Sequence, residues 1–283
     1  MTQLIGCNNH LGVSELGLTK NIETLLKLYP TLDILRVKEV IYEEEYSPKS
    51  KNFQSVYETN QLLSTACHDV LAEQLVPINI LGDHAGSIGT VSASSQFCDN
   101  LGLIWVDAHA DINTPLTTLS GNIHGMPIAA LLNLFDSSLG NVRFDGPKVK
   151  KENIVYLGLR DIDEAEQIFL DELEITYYTF KHVKELGLIN VLEAINKKFE
   201  TIDKLHISVD MDSMDPILVP AVSVPVEDGF TPQEVTTILE QLITHNDIVA
   251  IDIVEYNPEY DKDHVSAEVL KQLIDTIKNL LAD

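Results

Sequence analysis

Six side chains in this sequence are of the kinds that hold divalent cations, and their spacing groups them. The apolar run LGLIWV leads into Asp107, His109 and Asp111, the run LHISV leads into Asp210 and Asp212, and His84 follows the run INIL through LGD. Residues two apart in an extended chain point the same way, so each comb is expected to converge on one patch at the carboxyl end of a strand. In open α/β sheets that edge is where ligands bind. Four aspartates crowded together repel and raise one another's pKa values, a charge that two divalent cations would cancel. Oxygen-rich ligation with some imidazole suits a hard or borderline ion such as Mn²⁺ better than a thiolate-type zinc site. One aspartate after a strand is often only a loop cap, and one histidine is more often structural than a ligand. The coincidence of six at three strand ends is what points to a binuclear metalloenzyme.

The elements that must position these residues can be read from hydrophobic patterning. Strands are predicted at TLDILRV, VPINIL, LGLIWV, NIVYLGL, EITYYTF, KLHISV and DIVAIDIV. Helical patterns lie between them at 51–75, 125–135, 163–172, 188–199, 232–244 and 264–281. The alternation argues for βαβ units, a mainly parallel central sheet and helices on both faces, a three-layer α/β/α fold. Runs such as LIWV and IVAIDIV lack polar alternation, as expected of strands buried on both sides. Thr231 is placed as a helix N-cap, with Pro232 at the first helical position and Glu234 at the third. Loops 112–122 and 211–232 are polar and rich in turn residues. No repeat or long linker appears, so residues 1–283 are expected to form one domain.

Composition narrows the partners. A chain of 283 residues with 45% hydrophobic composition has enough material for a sizeable core. Nineteen basic against 44 acidic side chains give a formal charge of −25, which repels nucleic acid and anionic membrane and attracts cations. A small cationic substrate fits that sign. Cys7, Cys67 and Cys98 are scattered, with no metal-binding or disulfide spacing, and suit a reducing compartment. No apolar run approaches a membrane span, and MTQLIGCNNH lacks the basic and apolar regions of a secretory signal, so a cytoplasmic location is expected.

The longer segments around these residues resemble the arginases of the ureohydrolase superfamily. WVDAHADINTPLTTLSGNIHG is similar to the central arginase signature, LGDHAGSIG to its first metal motif, and SVDMDSMDP to its third. YLGLRDIDEAE and IDIVEYNP resemble further arginase segments. The resemblance runs from about residue 79 to residue 258. It implies two Mn²⁺ ions per subunit, with Co²⁺, Ni²⁺ or Zn²⁺ as substitutes. By that resemblance His84, Asp107, Asp111 and Asp210 hold one ion, and Asp107, His109, Asp210 and Asp212 hold the other. A hydroxide between the metals is then the nucleophile. Four carboxylates, two dications and that hydroxide sum to −1, so a +1 guanidinium completes neutrality, a physical reason for a cationic substrate.

The resemblance also assigns the remaining roles. Glu255 pairs with the substrate guanidinium, Asp111 carries a proton from nucleophile to leaving amine, and His124 shuttles protons. Asn113, Thr118, Ser120 and Asn122 match positions that bind the α-carboxylate, and Asp163 and Glu166 match positions near the α-amino group. Together they form a zwitterion clamp, and the implied reaction is hydrolysis of L-arginine to L-ornithine and urea by a homo-oligomer, a trimer or hexamer. The chain departs from the family pattern at Leu81 and Ala85 in the first motif, at Ser213 in the third and at Val224 near the substrate. It also lacks the family's Gly-Pro and Arg near the N-terminus. The competing expectations are another ureohydrolase (an agmatinase, guanidinobutyrase or formimidoylglutamase) and a metal-binding protein whose turnover is weak or lost.

Overall fold

The computed structural model describes residues 1–42, 47, 49–135 and 137–282. Eight strands form one sheet: β1 (Thr2–Cys7), β2 (Ile34–Val37), β3 (Val76–Leu81), β4 (Leu101–Val106), β5 (Ile154–Leu159), β6 (Thr176–Thr179), β7 (Lys204–Asp210) and β8 (Ile248–Val254). Their spatial order is β2-β1-β3-β8-β7-β4-β5-β6, and every neighbouring pair is parallel. All carboxyl ends therefore lie along one edge. The helices are α1 (Asn21–Leu28), α2 (Phe53–Ala72), α3 (Ser87–Ser94), α4 (Pro127–Leu131), α5 (Glu164–Glu172), α6 (Phe180–Leu186), α7 (Leu188–Lys198), α8 (Pro232–His245) and α9 (Val265–Leu280).

Strand residues alternate between two apolar cores. Ile104 and Val106 of β4 join Val191, Ile195, Leu239 and Leu273 from α7, α8 and α9. Leu103 and Trp105 of the same strand join Cys67, Val91 and Leu170 from α2, α3 and α5. A strand covered on both faces has no polar side, which is why its sequence reads as a continuous apolar run. The expected three-layer architecture is the observed one.

The seven expected strands are β2 to β8, with ends displaced by up to three residues. β1 lay outside that expectation, because TQLIGC mixes polar and small residues with its two aliphatic ones; parallel pairing with β2 and β3 on either side fixes it as a strand. Three helices also lay outside it. In α3 every residue is buried, so SIGTVSAS has no solvent face and no amphipathic period to detect. α1 and α6 are of eight and seven residues, about two turns each. At α8 the expected capping box forms: Glu234 N donates to Thr231 Oγ1 at 3.2 Å, and Thr231 N donates to Glu234 Oε2 at 2.8 Å.

Candidate metal centre

The four adjacent strands β3, β8, β7 and β4 deliver the six expected ligands and Glu255 to one place. His84 opens a short 3₁₀ turn after β3, Glu255 follows β8, Asp210 ends β7 and Asp107 follows β4. The spacing predicts extended combs, and in this the structure differs. β4 stops at Val106, Asp111 has φ +51°, and Asp212 lies in a 3₁₀ turn over Met211–Ser213. Each strand-end aspartate bends its own chain. His109 N donates to Asp107 Oδ1 at 2.7 Å, and Asp212 N donates to Asp210 Oδ1 at 2.7 Å. The side chains still converge, but through Asx turns rather than through strand alternation.

His84 Nδ1 lies 3.0 Å from Asp107 Oδ2, 3.2 Å from Asp111 Oδ2 and 3.1 Å from Asp210 Oδ2. It makes an aligned hydrogen bond to none of them, and Asp107 Oδ2 is likewise buried without a partner. Donor atoms about 2.1 Å from a shared cation sit about 3.0 Å apart when they subtend a right angle. An imidazole nitrogen with three carboxylate oxygens at that separation, and no aligned hydrogen bond from it to any of them, fits a cation site. His109 Nδ1 lies 3.1 Å from Asp212 Oδ2 and 3.5 Å from Asp107 Oδ1. Two groups of ligand atoms thus share Asp107: His84 with Asp107 and Asp111, and Asp107 with His109 and Asp212. This His/Asp cluster could hold metal at both.

Residues outside the expected set hold the ligands in place. His84 Nε2 is 2.8 Å from Ser208 Oγ, and the ring stacks on Trp105 at 3.8 Å with an interplanar angle of 7°. With Nε2 committed to the hydroxyl, Nδ1 is left as the coordinating atom. Asp83 accepts from Gly12 N at 2.8 Å, Asn9 Nδ2 at 2.9 Å and Ala85 N at 3.1 Å, tying the N-terminal loop to the turn that carries His84. Gly82 is required there, because a Cβ would stand 1.8 Å from Asn9 O. Arg160 donates to the carbonyls of Asp212 at 2.6 Å and of Ser213 at 3.3 Å, pinning the second comb. Of these, Ser208 had a legible signal: it lies two residues before Asp210, on the same strand face.

Charge crowding sets the protonation pattern. Burial and then the repulsion of Asp107 push Asp111 up to about 6. Burial, with Asp212 and Asp107 beside it, raises Asp210 well above the carboxylate range. Burial alone would lower His84 and His109, but the neighbouring aspartates outweigh it and hold both well above the usual imidazole value. Against burial, His109 and His84 draw Asp107 down. With only protons to balance them, the ligands share protons that bound cations would displace.

Beside the cluster opens a cavity of about 220 Å³. Its lining includes Asn113, Thr118, Ser120, Asn122, His124, Asp163, Glu166, Val224 and Glu255, so all the expected substrate residues reach one space. Glu255, at φ +64°, accepts through Oε1 from His84 N at 3.0 Å and faces His124 Nδ1 at 3.1 Å; its Oε2 is buried with no partner. Asn113 Nδ2 donates to Asp163 Oδ2 at 2.9 Å. Glu166 is differently engaged: its oxygens accept from Asp163 N at 3.1 Å and Ile112 N at 3.3 Å, so it braces the loop as well as lining the cavity. Burial and Asp111 push its carboxyl up to about 8.

Residues 19–278 match the family model described as the Arginase family. Arginase of Bacillus caldovelox is 35% identical over 272 residues, covering 94% of this chain and 91% of the relative. Arginase of Bacillus subtilis is 36% identical over 227 residues, covering 80% and 77%. The crystal structure of the Bacillus caldovelox arginase superposes with a TM-score of 0.91 at 31% identity over 98% of each chain. The chain belongs to the arginase family.

Within that family frame the departures leave every metal-ligand candidate in place. Leu81 and Ala85 are buried, and Ser213 Oγ donates to the backbone carbonyl of Asp210 at 2.6 Å, a second bond across the turn that carries Asp212. Val224 borders the cavity and is exposed.

Proposed function

We propose that this arginase-family chain hydrolyses the guanidinium of L-arginine to L-ornithine and urea, with two manganese ions. The carrying observation is Glu255 Oε2, a buried carboxylate oxygen left without a partner where the cavity meets the His/Asp cluster. A planar fork of N–H donors satisfies it with charge-assisted, orienting hydrogen bonds. His84, Asp107, Asp111 and Asp210 would hold one cation, and Asp107, His109, Asp210 and Asp212 the other. What bound cations supply is Lewis acidity that brings the ionisation of water toward neutral pH.

The chain's own residues do the rest. Glu255 is oriented by His84 N and His124 Nδ1 through one oxygen, so the other is aimed by the fold rather than by the substrate. His124, opposed by burial but held up by Glu255 to about 9, keeps a proton to exchange at the cavity wall. Asp111 receives the proton released by the nucleophile at a carboxylate oxygen and passes it to the departing amine. At the far end Asn113, Thr118, Ser120 and Asn122 present neutral donors to the α-carboxylate, and Asp163 with Glu166 faces the α-amino group. A decarboxylated guanidine would leave those donors without a charged partner, at roughly 1–3 kcal/mol for each buried group left unpaired.

The reading includes one domain over residues 1–283, a homo-oligomer and a cytoplasmic location. Its three cysteines are free, which suits a reducing compartment, and among the described residues no helix is long and apolar enough to cross a membrane. The test is urea release from L-arginine by Mn²⁺-loaded protein between pH 7 and 10, beside agmatine, guanidinobutyrate and formiminoglutamate. Urea from arginine, weakened by Asn113→Ala and Ser120→Ala, supports the reading. No urea from arginine with metal verified bound overturns it.

A further inference from the structure

The carboxylate end of the cavity lies in an unfavourable field. The cavity as a whole is lined by Asp163, Glu166 and Glu255 as well as the His/Asp cluster, and the four expected carboxylate-binding side chains are all neutral. Neutral donors satisfy a carboxylate's hydrogen bonds but add no net charge to offset the acids around it. The segment before α2 supplies that charge. Lys51 Nζ donates to Asn122 Oδ1 at 3.0 Å, and Lys49 Nζ donates to Thr118 O at 3.2 Å. Lys51 is also fixed through its backbone, whose N–H donates to Gly121 O at 2.9 Å. The segment is thereby strapped along the loop that reads the substrate.

The Lys51–Asn122 contact settles the amide's orientation. An ammonium only donates, so the oxygen of Asn122 must face Lys51 and the NH₂ must point away from it. An amide whose oxygen accepts from a cation is a stronger donor at its nitrogen, because hydrogen bonds in a chain polarise one another. We propose that Lys51 is a specificity-determining residue, which aims the Asn122 NH₂ at the substrate carboxylate and sets a positive charge behind it. The chain then favours α-amino-acid guanidines over decarboxylated ones. This rests on the arginase reading above for which end of the cavity receives the carboxylate.

The test compares Lys51→Met and Lys51→Arg with the unmodified protein, all Mn²⁺-loaded. Calorimetry measures binding of L-ornithine and of 1,4-diaminobutane, which differ only by the carboxylate. Lys51→Met should weaken ornithine about three- to fivefold, the upper share of a solvent-exposed charge interaction, and change diaminobutane less than about twofold. Lys51→Arg should stay within about twofold of the unmodified protein on both. Unchanged ornithine binding in Lys51→Met, equal loss on both ligands, or no preference for ornithine in the unmodified protein overturns the proposal. Urea release is scored separately. Selective ornithine loss without urea from arginine would sink the proposed reaction and leave the lysine's role standing. Urea release with selectivity unmoved in Lys51→Met would do the reverse.

Discussion

Removing divalent cations should destabilise the protein, and by more at pH 8 than at pH 5.5. Ligand that binds only the folded state contributes about 2.7 kcal/mol per site at a hundredfold excess over Kd, hence about 5.4 kcal/mol for two such sites. A chain of 283 residues at about 2.1 cal/mol/K each has an unfolding entropy near 0.6 kcal/mol/K, so the melting temperature should fall by about 9 °C on chelation. The pH dependence follows from the buried acids. Asp111, Asp83 and Glu166 have folded pKa values pushed up to about 6, 7 and 8, chiefly by burial. A group raised in the folded state adds stability that is complete below its unfolded value and is lost as pH rises through its folded value. The chelated protein should therefore melt at progressively lower temperature from about pH 4 to pH 8. Asp107 has the opposite sign, being drawn down, but its effect falls below the ordinary carboxylate range and outside this window. With cations bound, Asp111 and Asp210 need no proton to offset their neighbours, so the loaded protein is spared much of that loss. Differential scanning calorimetry with and without Mn²⁺, metal content verified by elemental analysis, reads the gap. A gap that is absent, or that narrows as pH rises from 5.5 to 8, refutes the account of a charge-crowded cation site.

Three further outcomes are expected. Glu255→Gln keeps the shape but removes the charge proposed to face the guanidinium, so kcat/KM for arginine should fall about 10- to 100-fold with the fold intact by circular dichroism. Ser208→Ala removes the partner of His84 Nε2 and should weaken Mn²⁺ binding about 10- to 100-fold in a competition titration against a chelator. Thr231→Ala breaks the α8 capping box and should cost about 1 kcal/mol in denaturant unfolding, with urea release at saturating arginine unchanged.

Much of the fold was legible because chemistry and period coincide in this chain. β3 and β4 appear at the residues where their apolar runs predict them, and α8 begins at the capping box that Thr231, Pro232 and Glu234 spell out. β1, α1, α3 and α6 escaped because β1 is mixed in polarity, α1 and α6 run for only about two turns and α3 is buried all round, and such segments take their conformation from neighbours rather than from their own pattern.

What the sequence determined by itself is the chemical inventory: six metal-preferring side chains at three strand ends, a polar loop at 112–122, and an acidic excess that favours cations. Ligand type follows from side-chain chemistry, which no fold can change. What only the tertiary structure decided is which of these groups meet and how they are aimed. β8 and β7 had to insert between β3 and β4 to bring His84 within 3.2 Å of Asp107, Asp111 and Asp210. The combs had to turn through backbone bonds to their own aspartates, and Ser208, Trp105, Asp83 and Arg160 had to arrive from elsewhere to hold them. The contacts of Ser208 and Trp105 with His84, of Gly12 with Asp83 and of Arg160 with Asp212 join residues far apart in the chain, and no local spacing encodes them.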